Sequence, residues 1–366
     1  MKILNSYILK ELRNSFIFAF VIFTFILILG NLIKLADLVI NKGVNLVSVG
    51  KLFLLLLPSL LNYTVPIAVL VAILLTFGHL SANNEITAIR CSGFALYRLL
   101  MPLITIGTII SLSLVVLENH IIPWSHFASR KTIIGIGARK PTSYLESGRF
   151  IKEFKDYIIF IHEIKGNKLK HIRIYQPRKG KKTRTIIARE GLILSASSPK
   201  EKKIILKLIK GSSEEQDPTE PSKFYKCDFE EYPLILNLTQ ELKRKKIEKK
   251  IKDMSIKELK EEIKQLRKKG ISVIPLIAEI QRKFSFSFSV LAFIIIGFPL
   301  GVITKRGEKS IGFSLGLGII LFYYLLMAAG KGLIISKNAN PYFWMWLPNI
   351  IITAVGLILT YLAVER

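Results

Sequence analysis

Three titratable side chains near residue 120 are of the types that could perform acid–base chemistry. Glu118, His120 and His126 follow one another at the end of a long apolar run. A carboxylate beside an imidazole can act as a general acid or base, and an acid inside a membrane segment marks a functional site by default. Here Glu118 is expected to lie close enough to the membrane surface to be solvated. These residues keep one hypothesis open, that of a membrane-embedded enzyme acting on lipid-linked glycans.

Other enzyme signatures do not occur in the sequence. It contains neither a G-x-x-x-x-G-K-[ST] phosphate loop nor an H-E-x-x-H zinc motif. The two cysteines, Cys91 and Cys227, are expected on opposite sides of a membrane, so they indicate neither a disulfide nor a cysteine-based metal site. We therefore predict that this chain binds no metal and no cofactor of its own.

A polar segment, SANNEITAIRCSGFALYRLL (81–100), lies between two apolar runs. Its composition predicts a short helix at about 82–97 that lies along the membrane surface and ends at a glycine. Such a helix could contact a separate motor protein, with its acid paired to an arginine of that partner; an ordinary solvated loop is the alternative. The residues predicted to form the contact are Glu85, Ile86, Ala88, Arg90 and Gly93.

Two cations and four glycines complete the candidate residues. Lys34, at the end of the first apolar run, and Arg130, beyond the third, could meet phosphate groups of a lipid, although a lysine at a span end also extends to water at little cost. Two small-xxx-small pairs allow close helix packing, within this chain or against a partner subunit. The glycines of these pairs are Gly297, Gly301, Gly312 and Gly316.

The elements that must position these residues are mostly membrane helices. Apolar runs of about 18 or more residues indicate transmembrane helices. An amphipathic surface helix (2–13) is predicted to lead into the first span. We predict six spans, at 15–35, 52–80, 98–122, 281–304, 310–335 and 342–364.

The polar middle of the chain predicts an inserted β domain. Alternating, β-branched runs separated by turn residues are typical of a sandwich or jelly roll. Strands are predicted at 156–164, 171–176, 183–197, 203–210 and 223–238, in an order that the sequence leaves open, and GSSEEQDPTEPS (211–222) is predicted as a turn. Ser255 and Glu258 form a capping box that begins an amphipathic helix. The predicted fold is thus a polytopic α-helical membrane protein with an all-β jellyroll insert. Its parts are 1–123 (first membrane half), 124–254 (β domain), 255–270 (connecting helix) and 271–366 (second membrane half).

Charge indicates the orientation and a further hypothesis. Basic residues in the short loops favour cytoplasmic N- and C-termini, which places the β domain outside. The net charge is +27, and most of the excess lies between residues 124 and 270. Such a surface can bind anionic lipid, or it can reflect compositional bias alone. A membrane-anchored protein that binds anionic lipid without transporting it is therefore a second alternative.

The motifs of this sequence resemble those of the LptF/LptG family of lipopolysaccharide export permeases. NEITAIRCSG (84–93) is similar to the family's cytoplasmic motif of an acid, an apolar pair, a small residue and a glycine. IIAREGLI (186–193), RKFSFSFSVLAFIIIGFPLGV (282–302) and FWMWLPN (343–349) are similar to its β-strand signature, its fourth span and the start of its sixth span. The resemblance covers essentially the whole chain.

The resemblance implies a subunit of an ABC transporter in the inner membrane of Gram-negative bacteria, not an enzyme by itself. Its implied partners are a paralogous LptF or LptG subunit, an LptB-like ATPase dimer that binds ATP and Mg²⁺, an LptC-like bitopic protein, a periplasmic bridge protein and lipopolysaccharide, without nucleic acid. It also implies that Glu85 contacts the ATPase, and that Lys34 and Arg130 meet lipid phosphates. Lys34 is closer to LptG, whereas NEIT and FWMW are closer to LptF, so the paralogue stays open with a lean to LptF.

Overall fold

The computed structural model gives the arrangement of most of the chain. It describes residues 2–40, 44–139, 148, 150–154, 157–165, 167–178, 181–197, 202–216, 224–237, 249–304, 309–337 and 339–365. Contacts divide the chain into two compact units, which we call the helical unit and the β unit. The helical unit comprises Met1–Asp37, Val47–Ser129 and Lys249–Arg366, and the β unit comprises Leu38–Leu46 and Arg130–Glu248.

In the described ranges, five α-helices precede the β strands. They are α1 (Lys2–Ile40), α2 (Leu46–Ala82), α3 (Glu85–Cys91), α4 (Tyr97–Val116) and α5 (Ile122–Arg139), and a π-turn (Leu117–Ile121) joins α4 to α5. The predicted surface helix is the first part of α1, which continues into the first span without a break. The third predicted span likewise extends beyond 122, because α5 continues the helix to Arg139.

Four α-helices follow the β strands in the part of the chain that the structure describes. After a 3₁₀ turn (Ile251–Asp253) come α6 (Ile256–Lys268), α7 (Ile274–Ile303), α8 (Lys309–Lys337) and α9 (Pro341–Glu365). Ser255 caps α6: its hydroxyl accepts from the N–H of Glu258, and the Glu258 carboxylate accepts from the N–H of Ser255. The predicted capping box is confirmed.

Six of the helices in the described ranges are long and apolar enough to cross a membrane. They are Ile3–Ile40, Leu46–Ala82, Tyr97–Ile134, Ile274–Ile303, Gly312–Lys337 and Pro341–Leu362. These match the six predicted spans with ends shifted by up to about a dozen residues. The spans of α2 and α7 are 78% and 72% buried over their most apolar windows, against 11–28% for the others. The chain therefore folds as a polytopic membrane protein in which α2 and α7 form the centre of the helical unit.

The strands of the β unit form one antiparallel sheet. They are β1 (Phe150–Phe154), β2 (Tyr157–Lys165), β3 (Lys168–Arg178), β4 (Lys181–Ser197), β5 (Lys202–Gln216) and β6 (Phe224–Asn237). Each strand pairs with its neighbours in sequence, in the order β1-β2-β3-β4-β5-β6. The described strands thus form a meander, which supplies the strand order that the sequence left open. The predicted turn 211–222 is wrong in its first half, because β5 continues to Gln216 in register with β6.

One face of this sheet is apolar and fully covered. Isoleucines and leucines from all six strands form a single cluster, with Ile159, Ile172, Leu206 and Leu236 among those that are 0% exposed. These side chains pack against one another, so the apolar face of the described sheet is buried.

A row of residues across five strands marks a change in the buried side of β4. The pairing of neighbouring strands places five residues opposite one another in this row, and all five are exposed: His162, His171, Arg189, Lys210 and Glu230. We call it the bend row. Side chains of a strand alternate between its two faces, but at this row the alternation shifts by one residue: on β4 the buried side chains have even numbers before the row and odd numbers after it. His171 and Lys210 have φ of 50°, in the left-handed region. At this row β4 therefore exchanges the side that it buries, while the pairing of the strands continues across the row without a register shift.

Candidate functional site

The segment predicted to contact a motor protein contains a short helix. α2 ends at Ala82, Asn84 has a φ of 59°, and α3 begins at Glu85. After α3 the N–H of Gly93, whose φ is 75°, donates to the carbonyl of Arg90 at 2.9 Å. A residue without a β-carbon tolerates this left-handed conformation, so Gly93 follows the end of the helix as predicted. The helix is shorter than the predicted 82–97, because it comprises only Glu85–Cys91.

One side of α3 packs against the core of the helical unit. Ile86 is 4% exposed and belongs to a cluster that contains Ile8 of α1, Leu80 of α2, Leu99 of α4 and Val302 of α7. Burying an isoleucine side chain contributes about 1.5–3 kcal/mol. Ile86 therefore joins α3 to a buried cluster that includes residues of four other helices.

The other side of α3 is open to solvent. Ala88 is exposed, and Arg90 is half-buried. The Oε2 atom of Glu85 accepts a hydrogen bond from the Tyr7 hydroxyl at 3.0 Å, at the start of α1. The structure therefore places the first two turns of α1 beside α3, a neighbour that the sequence did not indicate.

The remaining predicted residues lie elsewhere. Lys34 is exposed on α1 within the helical unit, and Arg130 is half-buried on α5 within the β unit. The four packing glycines of α7 and α8 all face α2 of the same chain: Gly297, Gly301, Gly312 and Gly316. A β-carbon at Gly301 would lie 2.8 Å from that of Phe77, so the two helices are in close contact there.

A buried ionic network connects three helices of the helical unit. The Glu118 side chain is 2% exposed, and its carboxylate accepts from the guanidinium of Arg282 at 3.3 Å through both oxygens. The Nδ2 atom of Asn62 donates to the same carboxylate at 2.8 Å. Glu279 accepts from Arg282 at 2.9 Å. Buried charges need such partners, so the network fixes α2, α7 and the π-turn relative to one another.

The π-turn follows from the position of a proline. The N–H of Ile122 donates to the carbonyl of Leu117, five residues earlier. The next residue, Pro123, has no N–H to donate. The carbonyl of Glu118 instead accepts from the Nζ atom of Lys283 at 2.9 Å, and the Lys283 side chain is buried.

The expectation that Glu118 is solvated is wrong. The sequence placed it near the membrane surface, but the structure buries it against Arg282. His120 is exposed, and His126 lies 3.3 Å from the hydroxyl of Ser59. The three side chains thus have different hydrogen-bonding partners. Within the described residues, no group of three or more His, Cys, Asp or Glu side chains could hold a metal ion.

The partners of Glu118 were not predicted from the sequence. Arg282 and Lys283 are adjacent bases within an otherwise apolar span, and that pair was the available signal for a buried network. Arg282 lies 164 residues from Glu118 in sequence, so no local pattern joins the two.

Comparison with known proteins gives one family and one relative. Residues 6–362 match the family described as "Lipopolysaccharide export system permease LptF/LptG". The chain is also similar to an uncharacterised protein of Rickettsia prowazekii (strain Madrid E), with 25% identity over 219 residues, which is 59% of each chain. The family match covers nearly all of the described helices and strands. The chain therefore belongs to the LptF/LptG family of lipopolysaccharide export system permeases.

Proposed function

We propose that this chain is one permease subunit of an ABC transporter that extracts lipopolysaccharide from the inner membrane, and that a separate ATPase drives it through α3. The observation that carries the proposal is the packing of α3 within a chain of this family. Ile86 is buried among four helices, while the opposite side of α3 is exposed. A partner that pushes on the exposed side would move the helices that hold Ile86.

The proposal assigns a partner to each part of the chain. A paralogous LptF or LptG subunit would complete the permease, and an LptB-like dimer would bind ATP and Mg²⁺ on the cytoplasmic side, where both termini lie. The β unit would lie in the periplasm and pass the lipid to an LptC-like protein and a bridge protein. This chain binds no cofactor in the proposal.

The apolar face of the sheet supports a path for acyl chains. Removal of apolar chains from water is favourable by about 25 cal/mol per Å², and the covered face of the β unit offers isoleucine and leucine side chains from six strands. Lys34 and Arg130 are the proposed contacts for lipid phosphates. A cation on a flexible stem suits a phosphate.

Co-purification tests the proposal. The tagged chain is extracted gently from its host membranes as wild type, Glu85→Lys and Glu230→Lys, and the accompanying proteins are identified by mass spectrometry. Glu230 is an exposed acid of the β unit and serves as a control with the same change of charge. We expect an ABC ATPase and a second six-span subunit with the wild type and the control, and a reduced amount of the ATPase with Glu85→Lys. Purification of the chain alone in all three samples would contradict the proposal.

A further inference from the structure

Helix α6 has three chemically different sides along its 13 residues. Residues three or four apart in sequence lie on the same side of an α-helix. The apolar side packs against α7, and its members are Ile256, Leu259, Ile263 and Leu266. The acidic side contains Glu258, Glu261 and Glu262. The third side, which we call the basic stripe, contains Lys257, Lys260, Lys264, Arg267 and Lys268.

The basic stripe is open to solvent and has no acidic partner. All five of its side chains are exposed. Within the part of the chain that the structure describes, none of them takes part in an ion pair, and Glu258 of the acidic side is paired with Lys249 instead. Lys260, Lys264 and Lys268 follow one another at a spacing of four, at which like charges destabilise a helix. A bound anion would relieve this repulsion.

The length of α7 indicates the depth of α6 in the membrane. α7 has 30 residues and is therefore about 45 Å long, whereas the hydrocarbon core of a bilayer is about 30 Å thick. About a third of the helix exceeds the thickness of the core. α6 packs on Leu276 and Ile280, in the first two turns of α7. These turns are the part of α7 that lies at the level of the lipid headgroups.

Aromatic side chains indicate the same depth independently. Trp and Tyr are enriched where a membrane helix passes the headgroups. The span of α9 begins with aromatic residues, of which Tyr342 and Phe343 are 59% and 52% exposed. A little further along α9, the indole N–H of Trp346 donates to the Oε1 atom of Gln281 at 3.0 Å. Gln281 is next to Ile280, so the part of α7 that holds α6 lies at the membrane surface.

We propose that the basic stripe binds the phosphate groups of anionic phospholipids in the leaflet beside α6. The surface of a membrane that contains anionic lipid is negative and attracts basic segments. The apolar side of α6 is occupied by α7, so the helix meets the lipid through its cations and not by inserting apolar side chains.

The chemistry of the stripe suits this ligand. Four of its cations are lysines, whose flexible stems let the ammonium groups follow phosphates that are not fixed in place. Arg267 adds a planar group that can donate two parallel hydrogen bonds to one phosphate. The acidic side of α6 would face water. The inference goes beyond the proposed function, because the lipid is bound at the surface and is not transported.

Lipid binding to the intact chain in detergent tests the stripe. The full chain is mixed with phosphatidylglycerol, phosphatidylcholine or lipopolysaccharide, and native mass spectrometry counts the lipids bound. We expect the wild type to prefer phosphatidylglycerol to phosphatidylcholine. Lys260→Gln, Lys264→Gln and Lys268→Gln together should weaken the tightest phosphatidylglycerol binding by about tenfold or more, since each cation near a headgroup contributes about fivefold. Glutamine is nearly as good a helix former as lysine, so α6 should stay folded.

Two matched variants serve as controls. Arginine at the same three positions keeps the charge and should bind phosphatidylglycerol as the wild type does. Lys168→Gln, Arg173→Gln and Arg189→Gln together remove three exposed bases of the β unit. This second control lowers the net charge by the same amount, and we expect it to leave the binding unchanged.

Four results would overturn the inference. An equal loss in the stripe variant and in the β-unit control would show that binding follows net charge. A loss in the arginine variant would show that the charge of the stripe is not what binds. A wild type without preference for phosphatidylglycerol over phosphatidylcholine would show that the stripe selects no anionic lipid. Binding of lipopolysaccharide without phosphatidylglycerol would contradict the assignment to phospholipids.

Discussion

Substitution of Glu118 by alanine tests the buried ionic network most directly. The change removes a carboxylate whose two oxygens both accept hydrogen bonds from Arg282. It also leaves the Nδ2 atom of Asn62 without its acceptor. Arg282 keeps Glu279, whose Oε1 lies 2.9 Å from its Nη2 atom, and its own side chain is 21% exposed. Arg282 therefore loses one of its two ionic partners, at a site that is partly exposed to water.

The expected magnitude follows from these contacts. Removing one partner of a buried ion pair costs about 3–5 kcal/mol. Because Arg282 retains Glu279 and some contact with water, we expect the lower end, about 3 kcal/mol. Glu118→Gln keeps one side-chain oxygen for Asn62 or Arg282, so we expect about half of that loss, in line with hydrogen bonds to charged groups.

Equilibrium unfolding in mixed micelles measures the change. Glu261→Ala, at an exposed acid of α6, is the control, and we expect its effect to stay within about 0.5 kcal/mol. A double-mutant cycle with Asn62→Ala should show coupling between the two sites. If Glu118→Ala is as stable as the control, the network does not hold the three helices together and the reasoning fails.

Three further changes have expected outcomes. Gly356→Ala places a β-carbon 2.8 Å from backbone atoms of α7 and should cost about 1–3 kcal/mol in thermal unfolding, whereas Gly318→Ala, with nothing within 4 Å, should not destabilise; equal effects would contradict the close contact. Ser255→Ala should cost about 1 kcal/mol and speed hydrogen exchange in the first turn of α6; unchanged exchange would contradict the cap. Burial raises the pKa of Glu258, but hydrogen bonds from Lys249 and the Ser255 backbone outweigh it and leave the pKa below its usual range. The stabilisation should therefore be complete above about pH 4.3, the usual glutamate value, and fade with acidification below it. Lys249→Met should reduce that pH dependence, and an identical acid profile would refute the assignment.

Much of the fold could be predicted because its signals are local. Hydropathy over about 20 residues identifies a span without knowledge of its neighbours, and alternation identifies a strand such as β4. β1 was missed because FIKEF is short and contains two charges. The end of β5 was missed because GSSEEQ is typical of a turn, although pairing with β6 keeps it extended.

The candidate site was less predictable because its partners are distant in sequence. Ile86 could be recognised as one of an apolar pair, but its place in a buried cluster with Ile8 and Val302 could not. Hydropathy assigns Glu118 a depth near the membrane surface, and only the presence of Arg282 and Asn62 explains why it is buried. The bend row likewise could not be predicted from any single strand, because it is defined by the register of five strands.

The π-turn has a consequence for the length of the chain. It accommodates one more residue than an α-helical turn would, so deletion of a single residue between 117 and 121 would allow a regular α-helix to form. Each residue of an α-helix turns the chain by about 100°. The wider π-turn already absorbs the step of one residue, so the helix after the deletion would keep about its present direction: Phe127 would stay near Lys249, and Trp124, now 65% exposed, would keep its surroundings. Homologous chains that lack one residue of this segment should therefore keep α5 in its present direction.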